Sequence, residues 1–333
     1  MSILVTGGCG FIGSNFINYF LHNYPEGEII NLDSLSYAAN LQNVESLAAK
    51  FPKRYNFIQG DICDYGLALS LLTKVDAVFN FAAQTHVDRS LSDGEDFIKS
   101  NVLGVNTLLQ AAHRAWPDLN AKKFIQVSTD EVYGALPLDI GEAFTETATL
   151  NPSSPYSASK AGGDLLILAY YKSFNFPAII TRCTNNFGPQ QYPEKLIPLL
   201  IFNILQKKPL PIYGDGLNVR DWLYVKDHCK AIMKVYEKGR IGGIYNIAGH
   251  NPLSNLELLQ KIIEFVSKKL KIPRQEIEKL ITFVPDRPGH DRRYNISTSK
   301  IEKELNWFPE ETFADSLGKT VNWYLEHPEW WQK

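Results

Sequence analysis

Short apolar runs alternate with longer amphipathic segments through the first half of the chain. The runs are predicted strands, and they lie at Ile3 to Val5, Ile29 to Leu32, Tyr55 to Ile58, Ala77 to Phe81, Phe124 to Val127 and Ala178 to Thr181. Apolar residues at helical spacing predict helices between them, over Ile12 to His22, Tyr65 to Thr73, Phe97 to Ala115 and Tyr156 to Ser173. Strands that alternate with helices predict an α/β fold, a doubly wound parallel sheet of the Rossmann type.

The pattern changes after Pro189, where prolines become frequent and regular segments become fewer. Helical spacing returns over Lys226 to Lys238, Asn255 to Leu270 and Phe313 to Glu326. We therefore expect two domains. Residues 1–187 are expected to form the doubly wound domain, with residues 219–242 packing onto it, and residues 188–333 a smaller, mixed α/β domain that binds the substrate.

Composition and charge narrow the class of protein. The 333 residues are 44% apolar and 21% charged, as is typical of a globular protein, and the net charge of −2 gives no field that would attract nucleic acid or an anionic membrane. No apolar run approaches the roughly 18 residues of a membrane span, and the first residues lack the basic start of a signal peptide. The cysteines Cys9, Cys63, Cys183 and Cys229 lie far apart, which predicts reduced thiols and no metal site. We expect a cytoplasmic protein without nucleic-acid or membrane partners.

Glycines recur with the spacing of a phosphate-binding turn. Gly7, Gly10 and Gly13 lie between the first predicted strand and the helix that begins near Ile12. Small residues permit a tight turn there, and the N–H groups at the positive end of the helix suit a pyrophosphate. The sequence therefore predicts a dinucleotide site, while the alternative interpretation is that these glycines serve only the packing of helix on strand.

Acidic residues after the second and third strands indicate which dinucleotide binds. Asp33 follows Gly13 by 20 residues and ends the second strand, where its carboxylate would accept hydrogen bonds from the adenosine ribose. The same charge would repel a 2′-phosphate, so NAD is predicted and NADP is disfavoured. Asp61 and Ile62, after the third strand, are candidates for holding the adenine, although an aspartate there is more often a helix cap.

Two groups of polar side chains point to chemistry in this half of the chain. Tyr156 and Lys160 lie four residues apart on one helix face, where the ammonium and an oxidised nicotinamide together can lower the pKa of the phenol. Thr129, Asp130 and Glu131 follow the fifth predicted strand, at the sheet edge where ligands bind. When two adjacent carboxyl groups have different environments, their pKa values differ, so that one can donate a proton and the other can accept one. The alternatives are a surface tyrosine with a solvated lysine, and a pair of acidic helix caps.

These motifs together resemble the extended short-chain dehydrogenase/reductase superfamily and, within it, the dTDP-glucose 4,6-dehydratases, over nearly the whole chain. The segments that carry the resemblance are Gly7 to Gly13, Phe81 to Ser90, Thr129 to Gly134, Tyr156 to Lys160, Asn185 to Pro189, Asn218 to Trp222 and Asp286 to Tyr294. The adjacent Asp130 and Glu131 are the most specific feature, because the related epimerases need no acid at carbon 6 of the sugar. The chain departs from the family at Gln84, where glutamate is usual, which removes a charge near the nicotinamide and bears on cofactor affinity or rate.

The resemblance implies bound NAD and a nucleotide-sugar substrate, and it extends both sets of binding residues. The expected cofactor residues are Gly7, Gly10, Phe11, Ile12, Gly13, Asp33, Ser34, Ser36, Asp61, Ile62, Phe81, Ala82, Ala83, Thr85, Ser100, Tyr156, Lys160 and Asn186. The expected substrate residues are Thr85, His86, Thr129, Asn185, Lys195, Leu196, Pro211, Tyr213, Arg220, Asn255, Arg287, His290 and Tyr294. Among the latter, Lys195, Arg220 and Arg287 are the cations expected to meet the diphosphate.

The resemblance also implies a sequence of oxidation, elimination and reduction. Tyr156 would take the proton of the sugar 4-hydroxyl while Lys160 holds the phenolate and the nicotinamide ribose. Glu131 would remove the proton on carbon 5, Asp130 would protonate the departing 6-hydroxyl, and Thr129 would bond the 4-oxygen. The product would be a 4-keto-6-deoxy sugar nucleotide for deoxysugar biosynthesis, such as the dTDP-rhamnose pathway.

Other functions on the same fold stay open. An epimerase, a decarboxylase or a dehydratase for a UDP or GDP sugar would share the fold and the cofactor. A catalytically silent, NAD-sensing scaffold would need only the glycine turn and Asp33. The adjacent Asp130 and Glu131 favour dehydration over the other sugar reactions. The presence of Thr129, Asp130, Glu131, Tyr156 and Lys160 together argues against a silent scaffold.

Apolar stripes on two helices predict a homodimer. One stripe is Val102, Val105, Leu108, Leu109 and Ala112, and the other is Ala158, Ala161, Leu165, Leu168 and Ala169. A second apolar face on a helix is costly in water unless a second subunit covers it. The alternative is that all of these residues face the sheet.

Overall fold

A computed structural model of the protein describes residues 1–138, 141–286 and 289–330. Arg287 therefore lies outside the described residues. The strands are β1 (Ser2–Thr6), β2 (Glu28–Asp33), β3 (Tyr55–Gln59), β4 (Ala77–Asn80), β5 (Lys123–Thr129), β6 (Ala178–Cys183), β7 (Asn185–Phe187), β8 (Leu210–Tyr213), β9 (Val219–Tyr224), β10 (Ile244–Ile247), β11 (Pro252–Ser254) and β12 (Ile281–Val284). The α-helices are α1 (Phe11–Asn23), α2 (Gln42–Lys50), α3 (Tyr65–Leu72), α4 (Val87–Ser92), α5 (Glu95–Ile98), α6 (Val105–Ala115), α7 (Pro155–Phe174), α8 (Leu196–Leu205), α9 (Val225–Lys238), α10 (Asn255–Leu270), α11 (Arg274–Glu278), α12 (Ser299–Leu305) and α13 (Phe313–Glu326).

The central sheet, within the described chain, has seven parallel strands in the order β3, β2, β1, β4, β5, β6, β10. All six strands predicted from the sequence belong to it, and the prediction of a doubly wound parallel sheet is confirmed. From β1 the chain adds β2 and β3 on one side and then crosses to β4 on the other. A crevice therefore opens at the carboxyl ends of β1 and β4, which is where ligands bind in such sheets.

Both faces of the central sheet are buried under helices. Ile3 and Val5 of β1 belong to one apolar core, shared with α1 and α9, whereas Leu4 belongs to a second core, shared with α3 and α6. Strands buried on both faces consist of continuous apolar runs, and these strands can therefore be predicted from the sequence.

The second half of the chain contributes β10 to the central sheet and also forms two smaller sheets. One contains β11, β9 and β7, and the other contains β12 and β8. The three helices predicted for this half are α9, α10 and α13, and the last two have the predicted bounds. The domain division between residues 187 and 188 stays a prediction.

The prediction of one continuous helix from Phe97 to Ala115 is wrong, because the helix is interrupted. A π-helical segment at Lys99–Gly104 separates α5 from α6. Within that segment, buried Asn101 exchanges two hydrogen bonds of 3.0 Å with the backbone of Gln84, in the loop after β4. The wider turn thus places a polar side chain against the crevice, a common use of π-helical turns.

The first of the two predicted dimer stripes faces the core of its own chain. Val105, Leu108, Leu109 and Ala112 are buried against the sheet and α3. The alternative interpretation, that such residues cover the sheet, is therefore correct for α6. On α7, in contrast, Leu165 of the second stripe is exposed.

Candidate active site

A cavity of about 460 Å³ lies at the carboxyl ends of the central strands. Every residue expected for the cofactor lines it, from Gly7 in the first turn to Asn186 in β7. The five expected catalytic residues, Thr129, Asp130, Glu131, Tyr156 and Lys160, line the same cavity. The fold therefore brings together residues that are more than 170 positions apart in the sequence.

The turn between β1 and α1 leaves room for an anion beside free backbone groups. Gly7 has a φ of +68°, and a Cβ atom on Gly13 would lie only 2.3 Å from the carbonyl oxygen of Gly7. Gly10 precedes α1, and no side chain caps the first N–H groups of that helix. Uncapped N–H groups at the positive end of a helix fit the pyrophosphate of a dinucleotide.

Asp33 ends β2 at the rim of this turn. Its carboxylate accepts hydrogen bonds from the backbone N–H groups of Cys9 and Leu35, both at 2.8 Å. Burial raises the pKa of the carboxyl, and the two N–H donors oppose that shift. These bonds fix the carboxylate at the wall of the cavity.

The start of α7 fixes where Tyr156 and Lys160 point. The hydroxyl of Ser154 accepts from the N–H of Ser157 and the Ser157 hydroxyl accepts in return from the N–H of Ser154, a reciprocal cap, with Pro155 in the first turn. Tyr156 is therefore in the first turn of α7, and Lys160 lies one turn further on. The ammonium of Lys160 donates to the carbonyl oxygen of Val127 at 2.8 Å, which ties the helix to β5.

Tyr156 lies in an environment that favours its neutral form. The side chain is buried, and desolvation followed by the charge of Glu131 holds the pKa of the phenol well above its usual value, while hydrogen bonding with Thr129 opposes the shift. Burial also lowers the pKa of the Lys160 ammonium. The net effect of the surrounding chain is therefore to raise the pKa of this phenol.

Asp130 combines deep burial with an unpaired oxygen. It begins the 3₁₀ turn Asp130–Tyr133 and is 3% exposed. Burial, and then the charge of Glu131, raises the pKa of its carboxyl well above the usual value, although Arg220 opposes this. Its Oδ1 accepts from the Thr129 hydroxyl at 3.3 Å, while Oδ2 has no hydrogen-bond partner among the described residues. Burial therefore favours the protonated form of this carboxyl, and in that form its unpaired oxygen could donate a hydrogen bond.

The expected substrate residues divide into two groups. Thr85, Thr129, Asn185 and Lys195 line the cavity, and the Lys195 ammonium donates to the carbonyl oxygen of Thr85 at 3.2 Å. The other expected residues within the described chain do not line it, and these are His86, Leu196, Pro211, Tyr213, Arg220, Asn255, His290 and Tyr294. The part of the second group in sugar-nucleotide binding stays a prediction.

Arg220 and Tyr294 belong to that second group but lie close to the carboxyl groups of Asp130 and Glu131. The guanidinium of Arg220 is 4.3 Å from the centre of the Tyr294 ring and donates to the carbonyl oxygen of Asp291 at 2.8 Å. The positive charge of Arg220 favours a lower pKa for Asp130, and the charge of Glu131 favours a higher pKa for Tyr294. This cluster is therefore close enough to Asp130 and Glu131 to affect them electrostatically.

The remaining members of the second group lie on elements of the second half or at a helix start. His290 contacts Asp286 at 2.6 Å and packs edge-on against Tyr213 at the end of β8, where Pro211 also lies. Leu196 begins α8, Asn255 begins α10 and His86 precedes α4.

Asn101 does not line the cavity, but it supports the loop that does, and the sequence interpretation misses it. Besides its bonds to Gln84, its amide donates to the hydroxyl of Ser159 on α7 at 2.8 Å. It therefore joins the loop after β4 to the helix of Tyr156. One signal was present in the sequence, since Asn101 is a polar residue within the apolar face of a predicted helix.

Two further properties hold for the described residues. They contain no group of three or more His, Cys, Asp or Glu side chains that could hold a metal ion. None of their helices is both long and apolar enough to cross a membrane.

Comparisons with known proteins agree on one family. The family model for GDP-mannose 4,6 dehydratase matches residues 4–320. The dTDP-glucose 4,6-dehydratase of Neisseria meningitidis is 45% identical over 99% of this chain and 95% of its own. The crystal structure of a dTDP-glucose 4,6-dehydratase from Streptomyces venezuelae with NAD bound gives a TM-score of 0.91 at 44% identity, over 100% of this chain and 99% of that one. A UDP-glucuronic acid 4-epimerase from Bacillus cereus gives 0.87 at 29% identity, over 98% and 99% of the two chains. The chain therefore belongs to the dTDP-glucose 4,6-dehydratases, within the extended short-chain dehydrogenase/reductase superfamily.

Proposed function

We propose that this protein catalyses the dehydration of dTDP-glucose to dTDP-4-keto-6-deoxyglucose, with NAD as a bound cofactor. The observation that carries the proposal is the deeply buried carboxyl of Asp130, with its unpaired Oδ2 and a pKa raised by burial, beside the half-buried Glu131. Elimination of water from a sugar needs an acid and a base at neighbouring carbons, and two carboxyl groups in different environments supply both. Relatives with this activity support the substrate.

The residues of the cavity fit NAD. The turn from Gly7 to Gly13 would hold the pyrophosphate, Asp33 the adenosine ribose and Lys160 the nicotinamide ribose. When bound there, NAD supplies a hydride acceptor for carbon 4 of the sugar and afterwards a hydride donor for carbon 6. Because Asp33 is a carboxylate, it disfavours the 2′-phosphate of NADP.

Tyr156 acts on the sugar 4-hydroxyl by taking its proton at the phenol oxygen. Burial and Glu131 oppose ionisation of this phenol, so Tyr156 becomes a base only when the positive charge of the oxidised cofactor lies beside it. The Thr129 hydroxyl, which also bonds Asp130, can donate to the 4-oxygen. Removal of the 4-hydroxyl proton is thereby coupled to the presence of the oxidised cofactor in the cavity.

Asp130 and Glu131 divide the elimination between them. Glu131 takes the proton on carbon 5, and Oδ2 of Asp130 gives its proton to the departing 6-hydroxyl, which leaves as water because hydroxide is a poor leaving group. In the last step Glu131 returns its proton to carbon 5. The proton count closes when the proton that Tyr156 received replaces the one that Asp130 lost, and the hydroxyl of Thr129 lies between these two groups.

The dTDP group would lie toward the second half of the chain. Lys195 at the cavity wall and Arg220 near Asp130 are the described cations from the set expected to meet the diphosphate. We propose accordingly that residues 1–187 serve mainly the cofactor and residues 188–333 mainly the sugar nucleotide, whose product enters deoxysugar biosynthesis.

The Asp130 and Glu131 pair also separates this proposal from the alternatives. An epimerase has no hydroxyl to expel and no use for a protonated acid at carbon 6. A silent NAD sensor has no use for a buried tyrosine, lysine and two carboxyl groups at one cavity, since burying polar groups costs stability.

A homodimer is the assembly that we propose. Ile98 on α5, Leu103 in the π-helical segment and Leu165 on α7 are 54%, 51% and 55% exposed. These elements pack against each other, so their exposed apolar side chains lie on neighbouring surfaces. Apolar surface of this kind is typical of contacts between subunits.

The activity can be tested by incubating the purified protein with dTDP-glucose and, separately, with UDP-glucose. We expect a 4-keto-6-deoxy product from dTDP-glucose without stoichiometric NADH, because the hydride is returned within each turnover. The product is followed by mass spectrometry and NADH by its near-ultraviolet absorbance. NADH formed in proportion to product would indicate a simple dehydrogenase, and preferential turnover of UDP-glucose would contradict the proposed substrate.

Two variants should stop the reaction at different steps. Asp130→Asn should lower kcat by about 10²- to 10⁴-fold, because the acid is lost, yet still reduce bound NAD in a single turnover. Tyr156→Phe should lose that reduction as well. Stopped-flow absorbance of NADH distinguishes the two. Unchanged kcat in Asp130→Asn would remove Asp130 from the role of acid.

Asp130→Asn should also make the fold more stable at neutral pH. The pKa of Asp130 is raised in the folded chain, so above its ordinary value of 3.8 the unfolded chain releases a proton that the folded chain keeps, which disfavours folding. The gain in Tm should therefore be present at about pH 7 and disappear at about pH 3. Asp76 provides the control, because a hydrogen bond from the N–H of Ser2 lowers the pKa of its carboxyl in the folded chain. The variant Asp76→Asn should therefore have a lower Tm than the wild type at neutral pH. A gain in Asp130→Asn that is equal at both pH values would contradict the raised pKa.

Light scattering tests the assembly. The wild-type protein should have twice the chain mass of 37.7 kDa, and Leu165→Glu should shift it to the single-chain mass with a loss of activity, because Tyr156 is on the same helix. Phe308, 52% exposed and ahead of α13, provides the control, since Phe308→Glu should leave the dimer intact. A wild-type mass of 37.7 kDa for active enzyme would refute the dimer.

A further inference from the structure

A fully buried ion pair lies beside the catalytic helix and has no part in the chemistry described above. The guanidinium of Arg182, on β6, contacts the carboxylate of Asp164, on α7, at 2.9 Å, and the two side chains are 1% and 0% exposed. Taking two charges out of water is expensive, and a well-packed apolar pair is often as stable as a buried ion pair. Stability alone is therefore a weak explanation for this pair.

One end of the pair adjoins the residues proposed for oxidation. Asp164 lies one turn after Lys160 on α7, and its negative charge favours the protonated form of the Lys160 ammonium against the effect of burial. Because Tyr156, Lys160 and Asp164 recur at intervals of four, they lie along one face of the helix. Asp164 thus joins Arg182 to the helix face that carries Tyr156.

The other end adjoins the turn of the elimination residues. The Arg182 guanidinium lies 4.8 Å from the centre of the Tyr133 ring, and Tyr133 closes the 3₁₀ turn that Asp130 begins. The Tyr133 hydroxyl in turn donates to Oδ1 of Asn246, on β10, at 2.9 Å. The backbone of Arg182 pairs with Ser128 on β5, immediately before Thr129. Arg182 therefore contacts both catalytic segments of the cavity.

We propose that Arg182 and Asp164 are positioning residues that hold the turn of Asp130 and Glu131 in register with the helix of Tyr156 and Lys160. The inference rests on the proposed function, in which these two segments act on adjacent carbons of one sugar. Such a reaction needs both segments aligned to within a fraction of an ångström, and a misplacement of about 1 Å can cost on the order of 10²-fold in rate. The planar, paired guanidinium suits the purpose, because it bonds a carboxylate at its edge and stacks on a ring with its face.

The test removes both charges together, in the double variant Arg182→Met with Asp164→Leu. We expect a Tm close to that of the wild type and a kcat lower by about 10- to 100-fold. Because the turn shifts relative to α7, elimination should slow more than oxidation, so bound NADH should accumulate during turnover of dTDP-glucose. A second variant, Arg182→Lys, keeps the charge opposite Asp164 but loses the planar group over Tyr133, and it should show the same accumulation with a smaller loss of kcat.

The control variant removes an ion pair far from the cavity. Lys319 contacts Glu311 at 2.5 Å on the surface of the second half, and Lys319→Met with Glu311→Gln should leave kcat and the NADH signal unchanged. The proposal is overturned if the double variant turns over at the wild-type rate, or if oxidation and elimination slow equally. If the double variant does not fold, the same two measurements on Arg182→Lys test the proposal: its turnover rate, and whether elimination slows more than oxidation. A wild-type enzyme that makes no 4-keto product would instead contradict the proposed function.

Discussion

The parallel pairing of β5 with β4 on one side and β6 on the other is the constraint on which the site depends. It fixes Thr129 opposite Cys183 at the last rung of the ladder, so that the chain leaves the sheet at Asp130 and enters the cavity. The reciprocal cap of Ser154 and Ser157 then starts α7 at the same edge. Neither catalytic segment could reach the cavity from the opposite edge, because all seven described strands of this sheet run in one direction.

Burial at this edge sets the protonation state of the resting site. It raises the pKa of Asp130 and of Tyr156 and lowers that of Lys160, so desolvation favours the neutral form of all three groups. In the proposed mechanism, this favours the proton on Asp130 that elimination needs and opposes ionisation of Tyr156. In that mechanism Asp130 gives up its proton and regains it in each turnover, whereas Tyr156 depends on the charge of the oxidised cofactor, which must therefore be bound before the first step.

The sequence predicts the elements whose burial is simplest. Strands such as Ile3 to Val5 are covered on both faces, so they can be predicted from their apolar runs. The turn of Gly7 to Gly13 can be predicted because few other structures require glycines at that spacing between a strand and a helix. The strands β7 to β12 were not predicted, since each has only three to six residues and all but β10 lie in two small sheets, where little periodicity develops. The break at Lys99–Gly104 depends on a contact between Asn101 and a distant loop, which no local pattern encodes. The expected catalytic and cofactor residues meet at the cavity, whereas much of the expected substrate set lies on irregular elements around it.

The same contact of Asn101 explains why Gln84 can stand where the family usually has glutamate. Both the N–H and the carbonyl oxygen of Gln84 bond to the Asn101 amide, so the loop is held through its backbone and the identity of the side chain does not set its position. Gln84 lines the cavity, where exchanging a carboxylate for an amide removes one negative charge. If NAD binds as proposed, that loss would weaken the attraction for the positive nicotinamide of its oxidised form. The substitution should therefore act on the balance between oxidised and reduced cofactor, while the placement of the sugar stays the same.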